Sequence, residues 1–263
     1  SKDATISILT CSPGNELYSL FGHTGIRVVD KANDMDIVFN YGTFDFATQG
    51  FYFKFARGLL PYQLSCSEFR RFLSSYIYDE RSVYSQTLNL DSIQKQYLMD
   101  LLFENYQPAN REYLYNFLYD NCSTRVRDII EKSTNNQITW IAQPSTKSFW
   151  NLLDEYLSRF PWIQWGIHTI LGSPATSVAT IREQMFLPDY LMYHLDSAAY
   201  NGVPLVQPIE TVYEAPEQDL STPWYFSPFF VFAICTLALI LLLQKAKKPI
   251  YNYQKDKDTD IYT

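Results

Sequence analysis

Residues 220–244 carry no charged side chain, and between Phe229 and Leu243 Thr236 alone interrupts an apolar run. About 20 consecutive apolar residues cross a bilayer as a helix, so this stretch is expected to be a transmembrane helix that divides the chain in two. Trp224, Tyr225 and Phe226 stand at its start, and Lys245, Lys247 and Lys248 at its end. Amphipathic rings settle at a headgroup boundary, and the positive-inside rule puts the lysines in the cytoplasm. Residues 1–219, with a formal charge of about −9, then lie outside the inner face, and 245–263, at about +2, form a cytoplasmic tail. A domain outside the cytoplasm needs a leader, so a sequence opening at Ser1 reads as a mature or trimmed chain.

The 263 residues suffice for one medium domain with accessories. A composition 47% apolar and 19% charged excludes a disordered chain and a polytopic membrane protein. The net charge of −7 argues against a nucleic-acid partner, which would need a basic face. Aromatic residues make up 17%, which suits a large core and also a surface that meets lipid. Neither a phosphate loop nor a dinucleotide fingerprint occurs, and no cofactor is expected.

Strand-like alternation predicts strands at 5–10, 25–29 and 36–41, the last two forming a hairpin around 31–34. Two further strand-like runs, 51–55 and 62–65, flank a turn at 58–61, and 83–88 is another strand. Helical periodicity covers 68–78 and a segment running from a cap at Asp91 to about Tyr106. Residues 111–117 are extended or helical. Later helices are expected at 146–157, 162–171 and 180–198, followed by an extended link at 203–219. Strands early and helices late predict an α+β domain, with a core at about 5–135 and a helical extension at about 145–200.

Two segments carry the candidate chemistry. Phe21-Gly22-His23-Thr24-Gly25-Ile26-Arg27 places a histidine at the start of a strand between glycines, and Asp120-Asn121-Cys122-Ser123-Thr124-Arg125 places a cysteine in the first turn of a helix. Free N–H groups and the helix dipole stabilise a thiolate there, which predicts a lowered pKa for Cys122, and the same groups suit an oxyanion. His23 is the candidate base, because imidazole exchanges protons near neutral pH. If the hairpin pairs position 23 with about 42, Asn40 shares a sheet face with His23 and orients the ring, with Tyr41 the fallback. Asp120 or Asn121 caps the helix. Arg125 and Arg127, with Asn121 and Tyr41 nearby, are candidate substrate contacts; a lipid phosphate suits the arginines, and so does a solvated face paired to acids. The uncharged run 160–167 suits either an interfacial helix or a buried one. No Cys-x-x-Cys and no histidine pair occurs, so a metal site is not expected. Cys11 and Cys66 are candidates for a disulfide in an oxidising compartment.

A Gly-His-x-Gly strand followed by an Asn-Cys helix start resembles the circularly permuted papain-like group, which includes the lecithin:retinol acyltransferase and NlpC/P60 families. A closer resemblance covers nearly all of residues 5–215. It rests on Leu9-Thr10-Cys11-Ser12-Pro13-Gly14, the His23 and Cys122 segments, Asn40-Tyr41-Gly42-Thr43-Phe44 and Phe186-Leu187-Pro188-Asp189-Tyr190-Leu191. Together these resemble the N-terminal periplasmic domain of the Lnb lipoprotein N-acyltransferases. The resemblance implies a permuted papain-like domain in the periplasm, anchored in the inner membrane. It also implies Cys122 as nucleophile, His23 as base and an acyl thioester between two membrane substrates: a phospholipid donor and a diacylglyceryl-cysteine lipoprotein whose N-terminal amine accepts the chain. Members of that family usually continue into several spans, whereas one is expected here. Two other classes fit the same residues: a papain-like cell-wall peptidase or amidase, and a non-catalytic membrane-anchored binding domain.

Overall fold

A computed structural model describes residues 4–44, 47–50, 54, 59–141, 146–216 and 223–259, with side chains to Lys245. The run expected as a strand at 51–55 lies, apart from Lys54, outside the described residues.

The chain divides into two units, and the first, residues 1–156 with 175–217, centres on a seven-stranded antiparallel sheet of β1 (Thr5–Cys11), β2 (His23–Asp30), β3 (Met35–Thr43), β4 (Pro61–Glu68), β5 (Val83–Thr87), β6 (Glu112–Leu114) and β10 (Glu210–Tyr213). The spatial order is β10-β5-β1-β2-β3-β4-β6. The β2–β3 hairpin closes through a 3-10 turn at Lys31–Asn33, capped by the Asp30 side chain, with Asp34 left-handed at φ 48°. Aspartate tolerates that conformation because its short polar side chain bonds locally. A separate small sheet joins β7 (Ile138–Thr139), β8 (Ala199–Tyr200) and β9 (Val203–Pro204).

Period-two alternation sends side chains to both faces of the main sheet. On one face Phe69, Phe72, Leu73 and Tyr76 of α1 (Phe69–Tyr78) pack on Leu9, Cys11, Val38 and Val83. The other face carries Ile6, Ile8, Ile26, Val28, Phe39 and Tyr41. It is covered by α2 (Ser92–Tyr106) through Leu98, Met99 and Leu102, and by α3 (Cys122–Ser133) through Val126, Ile129 and Ile130. Burying each such aliphatic side chain contributes about 2 kcal/mol, and these contacts hold α3 on the sheet. The start of α2 is a capping box, with Asp91 accepting from Ile93 N and Gln94 N while Gln94 returns a bond to Asp91 N. Further helices are α4 (Phe149–Leu157), α5 (Pro161–Leu171), α6 (Ile181–Gln184), α7 (Pro188–Ser197) and α8 (Pro228–Thr259).

Three expectations are refined. The helix expected at 180–198 is two helices, because Pro188 supplies no N–H and opens α7. The link expected at 203–219 is extended, but Glu210–Tyr213 adds an edge strand beside β5. The Cys11–Cys66 disulfide does not form. Cys11 lies on β1 and Cys66 on β4, with β2 and β3 between them, and both thiols are free. Three strand spacings come to about 14 Å, twice what a disulfide spans.

The second unit joins residues Leu157–Pro174 with Gln218–Thr263. Among the described residues one helix, over Pro228–Lys245, is long and apolar enough to cross a membrane. Its side chains from Phe232 to Lys245 are exposed, unlike those of a core helix. At its start the Trp162 indole N–H donates to the Phe226 carbonyl at 2.6 Å, and the Trp162 and Trp165 rings lie 5.7 and 5.5 Å from Phe232.

Candidate active site

Asn121, in extended conformation, is the N-cap of α3: its Oδ1 accepts from Ser123 N and Thr124 N, both at 2.9 Å. Its Nδ2 donates to the carbonyls of Phe117 and Phe186, both at 2.8 Å. The side chain so pinned is 2% exposed, and it fixes the first turn in which Cys122 stands. Ser123 Oγ adds a bond to the Met185 carbonyl at 2.8 Å.

Cys122 reaches the sheet where β2 and β3 part. Their pairing stops at Ile26↔Phe39, and β3 shifts register between Asn40 and Thr43. Gly42, at φ +87°, lies in that shift, and a Cβ there would stand 3.6 Å from Cys122 Cβ. A positive φ of this size favours glycine, so the residue shapes the opening as well as leaving room for the thiol. Across the opening, a Cβ on Gly25 would come within 3.1 Å of Asn40 Oδ1. The backbone N–H groups of Thr24, Ser123 and Cys122 itself lie by the Cys122 sulfur and favour its anion. Thr24 follows His23 directly, so the two segments that stand about a hundred residues apart in sequence meet here.

His23 lies opposite Cys11 in the β1–β2 register. Its Nε2 stands 3.3 Å from Asn40 Oδ1, and Asn40 Nδ2 donates to the Val38 carbonyl. That second bond turns the amide oxygen to the ring, so the imidazole donates through Nε2–H. Tyr41 is on the opposite face, buried beside Tyr113 and Arg125. Burial pushes its phenol up to about 12, with the Arg125 cation opposing. Arg125 holds Asp120 through two bonds of 2.6 and 2.8 Å and lies 3.5 Å over the Tyr113 ring. Arg127, 4% exposed, is occupied by Asp128 and the Arg182 carbonyl. Both arginines therefore have protein partners, as a paired helix face would.

Burial decides the electrostatics. It raises the Cys122 thiol above its ordinary value, overcoming the three N–H groups and the Arg81 cation that pull the other way. The lowered thiol pKa expected from the helix N-terminus is reversed, because removing the anion from water outweighs a dipole effect of about 1 kcal/mol. His23 is pushed down to about 4, first by burial and then by Arg81, against the bond to Asn40. The resting pair is thus a thiol and a neutral imidazole.

The His23 shift has a stability consequence. Between pH 6.5 and about 4 the unfolded chain binds a proton at this position that the folded chain does not. Stability from the neutral imidazole is complete above pH 6.5 and falls as the pH drops towards 4, by about 3 kcal/mol over the interval. Urea unfolding at pH 7 and pH 4.5 should show this difference, and a His23→Gln chain should lack that share of the slope. An equal slope in both chains would refute it.

Thr24 and Arg81 were not singled out by the sequence. Thr24 sits inside the histidine segment, where its amide role depends on backbone direction. Arg81 lies in a turn remote from both motifs, without a local pattern to mark it.

A family model described as the Lnb N-terminal periplasmic domain matches residues 1–155, which include His23, Asn40 and Cys122. The chain belongs to this family. No curated protein and no solved structure matches it. The Lnb match ends before the Met185–Phe186 carbonyls that hold Asn121 and Ser123, so the cysteine helix is fastened by residues outside the matched stretch.

Proposed function

We propose that the chain is a membrane-anchored cysteine acyltransferase with a permuted papain-like core. It moves a fatty acyl chain from a phospholipid to the N-terminal amine of a diacylglyceryl-cysteine lipoprotein, through a thioester on Cys122. The observation that carries this reading is a helix-start cysteine whose sulfur lies by the backbone N–H of Thr24, the residue after the Asn40-bonded His23, in a member of the Lnb family. The order of imidazole strand before cysteine helix is that of the permuted papain-like enzymes. The apolar helix with its Trp162, Trp165 and Phe232 cluster supports anchoring in the inner membrane, with the domain in the periplasm.

His23 takes the thiol proton as the sulfur attacks the ester carbonyl. As sulfur bonds to carbon, the N–H groups at the start of α3 are placed to meet the developing oxyanion. Collapse breaks the ester C–O bond, and the imidazolium returns its proton to the departing lysophospholipid oxygen. The lipoprotein amine then attacks the thioester carbonyl, His23 takes the amine proton, and the C–S bond breaks to leave an amide. The sulfur recovers its proton from His23. Acyl chain and protons balance, and no oxidant or cofactor enters.

The test uses the full chain in vesicles of phosphatidylethanolamine labelled in its acyl chains. Label that neutral hydroxylamine releases, on the peptide containing Cys122, is the expected result, followed by transfer to a diacylated lipopeptide. Cleavage of peptidoglycan fragments without acyl label would establish the hydrolase instead. Neither product would leave a binding domain and defeat the proposal.

A further inference from the structure

Arg81 is 6% exposed, yet no carboxylate pairs with it among the described residues. Arg27, Arg125 and Arg127 each hold one, and Arg182 holds two. The Arg81 Nε–H donates to the Ser12 carbonyl at 2.9 Å, its guanidinium carbon lies 4.8 Å from the Tyr76 ring centre, and Nη2 has no hydrogen-bond partner. A buried cation left without a counter-ion costs several kcal/mol, which calls for a reason. The Ser12 bond seats Arg81 at the end of β1, where the preceding residue, Cys11, faces His23 across the ladder, and its charge acts on Cys11, His23, Tyr76 and Cys122. All four are proton carriers, and two of them are the candidate nucleophile and base.

We propose that Arg81 is a positioning residue for the Cys122–His23 pair, a buried cation without a counter-ion at the His23 end of the sheet that stabilises the sulfur anion as the thiol gives up its proton. The inference rests on reading those two side chains as a catalytic pair. The surroundings leave Arg81 as the charge that acts. From β1, Cys11 faces His23 with its thiol pushed up to about 12 by burial. From α1, the Tyr76 phenol is likewise driven up by burial and stays neutral. Tyr113 of β6 and Tyr115 beyond it lie near Cys122 and are raised for the same reason. Asp120 is neutralised by Arg125. Asp189 of α7 acts on Cys11; burial raises its carboxyl, and the Tyr156 hydroxyl donates to it at 3.0 Å. Asn40 of β3 is uncharged. The permanent burial of Arg81 suits this role better than docking a lipid phosphate, which would need an exposed guanidinium.

The test is the pH dependence of iodoacetamide alkylation at Cys122 in the full chain, followed by mass spectrometry of the Cys122 peptide. Arg81→Gln keeps an N–H for the Ser12 carbonyl while removing the charge; Arg81→Lys keeps the charge while losing the fork. In Arg81→Gln the alkylation midpoint should move up by about one pH unit or more, a tenfold loss of rate on the rising limb. The acidic limb of acyl transfer should move in the same upward direction, since His23 regains its proton more easily. Arg81→Lys should keep both limbs near the parent. Loss of structure would expose the thiol and bring its midpoint down to that of a free cysteine, opposite to the expected shift, and Arg81→Met, which keeps the bulk, repeats the test if Arg81→Gln does not fold. An unmoved midpoint in both neutral variants, or an equal shift in Arg81→Lys, overturns the proposal. Alkylation needs no lipid, so a shifted midpoint in a chain that never transfers an acyl group would sink the acyltransferase reading alone.

Discussion

Cys122→Ala is expected to reduce phospholipid-dependent acylation by about 10⁴-fold or more while leaving the fold intact. Removing a covalent nucleophile deletes the pathway and does not merely weaken it, and what survives in comparable enzymes is the residue of binding and oxyanion contacts. The fold should survive because the substitution removes one sulfur from the first turn of α3, whose attachment runs through Val126, Ile129, Ile130 and the Asn121 cap. Cys122→Ser is the sharper variant. It keeps an acceptor for the N–H groups of Thr24, Ser123 and Cys122, but a buried hydroxyl cannot approach ionisation beside a base as weak as His23, at about 4. It should therefore bind both lipids and form no trapped intermediate. The measurement is acyl label on the enzyme and, separately, on a diacylated lipopeptide, with the melting temperature as control. Transfer by Cys122→Ala within tenfold of the parent, from a folded protein, would mean that another group attacks the ester.

That expectation tests a site which the sequence displayed in part. The capping chemistry was legible: Asp91 followed three residues later by Gln94, and Asn121 before Cys122-Ser123-Thr124, are local patterns whose hydrogen bonds close within one turn. The apolar run from Phe229 was legible for the same reason, since composition over a short window decides it. The register argument that set Asn40 on the face of His23 needed only hairpin closure around the Lys31–Asn33 turn. What escaped depends on partners far away in the chain. Glu210–Tyr213 is four residues long and becomes a strand because β5 offers a free edge more than a hundred residues earlier. Arg81 acquires its meaning from three elements that converge on one end of the sheet. The direction of the Cys122 shift is hidden for a related reason, because a helix terminus is visible in sequence whereas the depth of burial is a property of the assembled layers.

Asn121→Ala is expected to destabilise the chain by about 3 kcal/mol and to lower acyl transfer with it. Four hydrogen bonds of 2.8–2.9 Å leave together. Losing the cap strands the N–H groups of Ser123 and Thr124, at a cost of about 1 kcal/mol. Losing Nδ2 strands the Phe117 and Phe186 carbonyls in a site that is 2% exposed, at about 1 kcal/mol or more each. The two contributions separate in Asn121→Asp, which retains both cap bonds and suits the helix dipole, yet turns a carboxylate towards two carbonyl oxygens. Asn121→Asp should therefore be no more stable than Asn121→Ala, although on capping alone it would rank with asparagine. Its added negative charge beside the sulfur should also make the Cys122 thiol harder to ionise, so transfer should fall further than the lost stability explains. Urea unfolding followed by tyrosine and tryptophan fluorescence, alongside acyl transfer at matched folded fraction, measures both. If Asn121→Asp matched the parent in stability, the bonds to Phe117 and Phe186 would carry no weight. The segment at Met185–Phe186 would then not be what holds the start of α3 against the opening between β2 and β3.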